Sequence, residues 1–141
     1  MIQRVQSIWL LLAALCAFIT YKMVLYIGTL PDGTERRLVL GDNFLLVGCI
    51  IALGALSLIS IFLFRNRKAQ LRFTILTMVL TIGFLFLEYL TIETFKRDNV
   101  ITTGSYQVAA LLPVVMVILL IFAARGIYKD QKLVKSLDRL R

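Results

Sequence analysis

Histidine is absent from the 141 residues of this chain, and cysteine occurs only twice. Without histidine the chain lacks the commonest general base and the usual axial ligand of haem. Two cysteines cannot complete a Cys/His zinc site within one chain. The sequence therefore predicts a protein that is not an enzyme and holds no metal or cofactor.

Charged residues are also scarce, at 17% of the chain, whereas hydrophobic residues make up 60%. An ordinary soluble domain is about 45–50% apolar and about 25% charged. One small soluble core cannot hide this much apolar surface, and disordered chains are poor in apolar residues. The composition predicts an integral membrane protein in which residues 1–141 form one domain.

Four stretches are long and apolar enough to approach the roughly 20 residues that cross a bilayer. We predict transmembrane helices at residues 3–21, 43–64, 73–95 and 106–124. The predicted fold class is an all-α integral membrane protein, a four-transmembrane-helix bundle. The first stretch could instead be a cleaved signal peptide, but bulky Leu15 stands where cleavage requires a small residue. Pro113 predicts a kink in the fourth helix near the middle of the membrane.

The basic residues of the chain are unevenly distributed. Of the 16 lysines and arginines, 11 lie at the start of the first span, in the link between spans two and three, or after the fourth span. Cytoplasmic loops carry such an excess, so the positive-inside rule predicts that both termini are cytoplasmic. An even number of spans agrees with this multi-pass topology.

The first outer connection, residues 23–40, is predicted to form a β-hairpin on the outer membrane surface. Residues 23–27 and 37–40 are rich in strand formers, and Pro31, Asp32 and Gly33 between them are typical of a tight turn. The alternative is that the first helix continues past the bilayer to Gly28.

The tail at residues 125–141 is predicted to be an amphipathic cytoplasmic helix that does not span the membrane. Leu133, Leu137 and Leu140 form an apolar stripe. A basic helix beside a cytoplasmic leaflet is attracted to anionic lipid. A contact with lipid or with a protein partner is predicted for the basic residues of the tail, Arg125, Lys129, Lys132, Lys135, Arg139 and Arg141. The positive charge is explained by topology, and no nucleic-acid recognition module accompanies it.

The third span carries polar residues on one helical face. This intramembrane polar seam comprises Thr74, Thr77, Thr81, Glu88 and Thr91. A seam for an ion, a proton or a lipid headgroup is one interpretation. The other is helix packing, because threonine can bond a carbonyl of its own helix. The helical rise per residue predicts that Glu88 lies near the outer end of the span, where it could reach headgroups or pair with Lys22 or Lys96.

Small residues mark one face of the second span. Gly48, Ala52 and Ala55 recur at helical spacing, with Gly54 nearby. Small residues let another helix backbone approach closely, so we predict a helix-packing face here.

The two ends of the chain resemble a known family. The opening MIQRVQSIWLLL (residues 1–12) and the closing KDQKLVKSLDRLR (residues 129–141) are similar to domain-of-unknown-function family 4293 of the Bacteroidetes. Gln131 stands where that family usually carries an acidic residue. The resemblance implies a four-span protein of a Gram-negative inner membrane and implies no activity.

Together these features favour a non-catalytic accessory or structural subunit of a larger inner-membrane assembly. The predicted partners are that protein complex and the anionic lipids of the inner leaflet, and no nucleic acid. The alternative is a small transporter, channel or lipid-handling protein that uses the polar face of span three.

Overall fold

Four helices and three strands make up the computed structural model, which describes residues 2–138 and the side chains of residues 5–133. The helices are α1 (Ile2–Thr20), α2 (Phe44–Phe62), α3 (Arg67–Asp98) and α4 (Leu112–Asp138). The strands are β1 (Val24–Thr29), β2 (Glu35–Val39) and β3 (Thr103–Tyr106). Single turns of 3-10 helix occur at Leu40–Asp42, Leu63–Arg65 and Val108–Leu111.

The four helices pack in a closed ring. α1 packs against α2 and α4, and α3 packs against the same two helices. Leu10, Ile50, Phe84 and Leu120, one from each helix, belong to a single buried apolar cluster at the centre. The described chain is thus mostly helical, as predicted.

Among the described residues, three helices with their flanking turns are long and apolar enough to cross a membrane. They are Phe44–Arg65, Arg67–Asp98 and Val108–Leu133. The apolar part of α1 within the described side chains, Val5–Thr20, is shorter. α3 is longer than predicted: its 32 residues measure about 48 Å, whereas the hydrocarbon core is about 30 Å thick.

The predicted hairpin is confirmed. β1 and β2 pair antiparallel, and Gly33 takes a positive φ of 76° in the turn between them. α1 ends at Thr20, so the alternative of a helix continuing to Gly28 is wrong. β3 was not predicted, and it pairs antiparallel with the other edge of β1 to give the order β2-β1-β3.

The sheet packs on the C-terminal part of α3. Tyr26, Leu38 and Ile92 form a second apolar cluster there, separate from the core of the bundle. Lys96 fixes the contact, because its Nζ donates to Glu93 Oε1 at 2.7 Å and to the Tyr106 hydroxyl at 2.9 Å. We call this end of the molecule the sheet end.

The fourth helix differs from the prediction in its start and in the place of Pro113. Residue 106 ends β3, and the candidate span begins at Val108, two residues after the predicted start, with α4 itself beginning at Leu112. Pro113 is the second residue of α4, where a missing backbone N–H breaks no helical bond, and it does not lie at mid-helix. α4 then continues unbroken to Asp138. The tail from Arg125 is therefore helical to that residue, as predicted, and forms the last part of α4.

Candidate functional site

A buried polar cluster joins three helices at the end of the bundle opposite the sheet. Gln6 on α1 donates from Nε2 to Oδ2 of Asp130 on α4, at 2.6 Å. Nη1 of Arg67, the first residue of α3, lies 3.8 Å from the same carboxylate oxygen. Gln131 donates from Nε2 to the Arg67 carbonyl at 2.6 Å. We call Gln6, Arg67, Asp130 and Gln131 the polar clasp.

Local sequence places each part of the clasp. The Asn66 side chain accepts a hydrogen bond from the amide of Ala69 and so starts α3 with Arg67 in its first turn. Gly126 lets α1 approach α4, because a Cβ at this position would lie 2.8 Å from Gln6 Cγ. Gln6 and Asp130 are both buried. Buried polar groups are stable only when they are paired, so the clasp fixes the relative positions of α1, α3 and α4.

The clasp residues were not predicted as a site, although the sequence carried a signal for them. Gln6 lies in the opening stretch that resembles the known family, and Asp130 and Gln131 lie in the closing stretch. Gln6 and Asp130 are 124 positions apart, yet they are directly bonded. Residues of the two distinctive stretches therefore contact each other, which indicates a structural role for these residues.

The clasp also determines which side of α4 faces outward. With Asp130 turned into the bundle, Arg125, Lys129 and Lys132 are exposed. The side chain of Lys135 and residues Arg139 and Arg141, also predicted as contacts, lie outside the described part of the chain. The described end of α4 thus presents a basic surface on a fixed helix.

The structure places the predicted polar seam of α3 in the interior. Thr74, Thr77, Thr81 and Glu88 are buried, and Thr91 is half-buried. Each threonine hydroxyl donates to the carbonyl four residues earlier on its own helix, at 2.7–2.9 Å. These hydroxyls are therefore satisfied within α3, as expected for helix packing.

Glu88 differs from the threonines. Its side chain is only 2% exposed, and neither carboxyl oxygen has a hydrogen-bond partner among the described residues. Phe84, one turn earlier, belongs to the bundle core, and Ile92, one turn later, belongs to the cluster under the sheet. Glu88 thus lies between two apolar clusters. The predicted pairing with Lys96 is not observed, because Lys96 contacts Glu93 and Tyr106.

The predicted packing face of α2 points away from the other three helices. Gly48 and Ala52 are exposed and Ala55 is half-buried, whereas Ile50, Leu53 and Gly54 face the core. The close approach within the bundle occurs at Gly54, where a Cβ would lie 2.9 Å from the Phe18 ring. At Gly48 a Cβ would meet nothing within 4 Å. Gly48 and Ala52, which we call the α2 outer face, are both exposed in the described chain.

No group of three histidine, cysteine, aspartate or glutamate side chains within the described residues is arranged to hold a metal ion. The chain matches the model of a family described as a domain of unknown function (DUF4293) over residues 2–140. The match confirms the resemblance seen in the two terminal stretches. No curated protein and no solved structure matches the chain.

Proposed function

Since this chain belongs to the DUF4293 family, whose match covers residues 2–140, we propose that it is a non-catalytic accessory subunit of a larger inner-membrane protein assembly. The polar clasp supports a structural role, because it engages residues from both terminal stretches in holding helices together. The observation that carries the proposal of an assembly is the α2 outer face.

Glycine is costly inside a helix, by about 1 kcal/mol relative to alanine. At Gly54 the close contact with Phe18 offsets this cost, whereas at Gly48 nothing in the described chain does. Lipid tails gain little from a flat surface of small residues, but a second transmembrane helix can approach such a surface closely. The α2 outer face is therefore the contact for a transmembrane helix of the partner protein.

The proposed arrangement in the membrane has four spans. α1 packs along both α2 and α4, which are long and apolar enough to cross a membrane. This packing supports a fourth crossing by α1 beside them, in a Gram-negative inner membrane. The clasp end faces the cytoplasm by the positive-inside rule. Arg125, Lys129 and Lys132 then lie beside anionic headgroups, each basic residue contributing about 1 kcal/mol near the surface.

Enlarging the α2 outer face is expected to release the partner. The double variant Gly48→Leu/Ala52→Leu, tagged at its chromosomal locus and extracted gently into polymer nanodiscs, should lose about 90% or more of the protein that co-purifies at near-equal stoichiometry with the wild type. Two leucines would hold the helices apart and remove the close packing on which association depends. Quantitative mass spectrometry of the eluate measures this loss.

A matched control is Val115→Leu, which enlarges an exposed apolar residue on the outside of α4. It should retain the partner fully. If the wild type is extracted as a homogeneous monomer, or if the α2 double variant keeps the partner as well as Val115→Leu does, the proposed assembly contact is wrong.

The unpartnered carboxyl of Glu88 favours a second candidate function, a small transporter, channel or lipid-handling protein. An ionisable residue within a span marks a functional pathway more often than a passive core position. In this case Glu88→Gln would abolish flux or lipid transfer in reconstituted liposomes and leave the fold unchanged. Absence of flux, or flux that survives Glu88→Gln, excludes this function.

A further inference from the structure

An open groove of about 510 Å³ runs between the start of α2 and the part of α3 near the sheet end. Small-molecule sites occupy about 300–1,000 Å³, so its size suits a ligand. One wall comes from α3, and the other is formed by Phe44 of α2 and the residues just before it. The exposed fraction of Phe44 is 93%, so this wall opens toward the outside of the bundle.

The α3 wall carries apolar side chains along its length and one carboxylate at its end. Leu87 and Leu90 line the end nearer the middle of the bundle, and Thr94 and Asp98 follow at helical spacing. From Leu87 to Asp98 the wall is about 16 Å long. Asp42, in the turn before α2, contributes a second carboxylate to the groove.

No ion pair within the described residues uses either carboxylate. The observed pairs involve Glu35, Glu93 and Asp130. Asp42 and Asp98 are both exposed. A cation in the groove would therefore meet two carboxylates that neutralise no other charge of the described chain.

We propose that this groove binds a membrane phospholipid whose headgroup carries a primary ammonium. The acyl chains lie along Leu87, Leu90 and Phe44, and the ammonium donates charge-assisted hydrogen bonds to Asp42 and Asp98. An anionic headgroup is repelled by the same two carboxylates, and a quaternary ammonium has no N–H to donate. This site adjoins the α2 outer face, because Phe44 lies one helical turn before Gly48 on the same side of α2. It lies away from the basic surface of α4, and it needs no protein partner.

The test uses the purified full-length protein in nanodiscs that contain equal amounts of phosphatidylethanolamine, phosphatidylcholine and phosphatidylglycerol with identical acyl chains. Native mass spectrometry then identifies the lipids that stay bound on release from the nanodisc. We expect phosphatidylethanolamine to be enriched about three- to tenfold over the supplied mixture, the range that two exposed ionic contacts provide.

The double variant Asp42→Asn/Asp98→Asn should reduce this enrichment to the supplied ratio. Its matched control is Asp32→Asn, which removes a carboxylate from the exposed hairpin turn and should leave the enrichment unchanged. Thr94→Trp keeps both carboxylates but fills the groove, and it too should abolish enrichment.

Enrichment that survives Thr94→Trp would show diffuse charge attraction at this end of the molecule, and would overturn the groove as the site. Equal retention of the three lipids by the wild type, or preference for phosphatidylglycerol, would overturn the proposal as well. Circular dichroism of each variant in the same nanodiscs establishes that its helices are intact.

Discussion

Replacing Asp130 with alanine is expected to lower the free energy of unfolding by about 2 kcal/mol. The substitution removes the acceptor of the 2.6 Å bond from Gln6 and the carboxylate that faces Arg67. The buried Gln6 amide would then lose its partner, and an unpaired buried donor costs about 1–3 kcal/mol. Reversible unfolding in mixed detergent micelles, followed by circular dichroism, measures the change.

Two variants calibrate this result. Asp130→Asn keeps an oxygen for Gln6 but loses the charge opposite Arg67, so its loss should be about half as large. Asp32→Ala removes an exposed carboxylate in the hairpin turn and should change stability by no more than about 0.5 kcal/mol. If Asp130→Ala is as stable as Asp32→Ala, the clasp does not hold the helices together.

A double-mutant cycle of Gln6→Ala and Asp130→Ala isolates their interaction from the general effects of each change. We expect a coupling energy of about 1 kcal/mol, because each single variant already breaks the same hydrogen bond. Additive effects would mean that the two side chains contribute independently.

Replacing Glu88 with leucine is expected to act in the opposite direction and raise the free energy of unfolding by about 1–3 kcal/mol. The substitution removes two buried oxygens that have no partner among the described residues. It also joins the apolar cluster around Phe84 to the one around Ile92. The same unfolding measurement applies.

Glu88→Gln is the matched control, because it keeps a polar group of the same shape at the same place and should gain much less. Glu93→Leu removes the next carboxylate along α3 and should not stabilise, since it removes the partner of Lys96. Loss of stability in Glu88→Leu would mean that this carboxyl is satisfied by a group outside the described chain, and would favour the transport or lipid-handling function.

Patterns that are local in sequence predicted their elements well. Long apolar stretches predicted the helices. Pro31, Asp32 and Gly33 predicted the hairpin turn, because turn geometry depends on adjacent residues. β3 was missed because its four residues, Thr103–Tyr106, are stabilised by pairing with a strand more than 70 positions away. Apolar composition continues across residues 108–112, so it could not show where α4 begins.

The direction in which a helical face points was harder to predict than which residues share that face. Gly48 and Ala52 share a face as predicted, but only the arrangement of neighbouring helices shows that this face points outward. Thr74 and Thr81 on α3 share a face by the same helical spacing, but their face points inward. The polar clasp could not be predicted from the sequence, because no pattern of neighbouring residues indicates which distant side chain pairs with Gln6 or Asp130.

Site-directed labelling of the chain in its own membrane tests the proposed topology. The cytoplasmic location of the clasp end, the lipid contacts of α4 and the proposed contact within the membrane all depend on this topology. Three single-cysteine variants are needed, Gln3→Cys, Asp32→Cys and Lys132→Cys, each in a background lacking Cys16 and Cys49. A membrane-impermeant maleimide applied to intact spheroplasts should label only the cysteine at position 32. The other two positions should react only after the membrane is permeabilised. Labelling at position 3 from outside would show that α1 does not cross the membrane, and labelling at position 132 from outside would contradict the cytoplasmic location of the clasp.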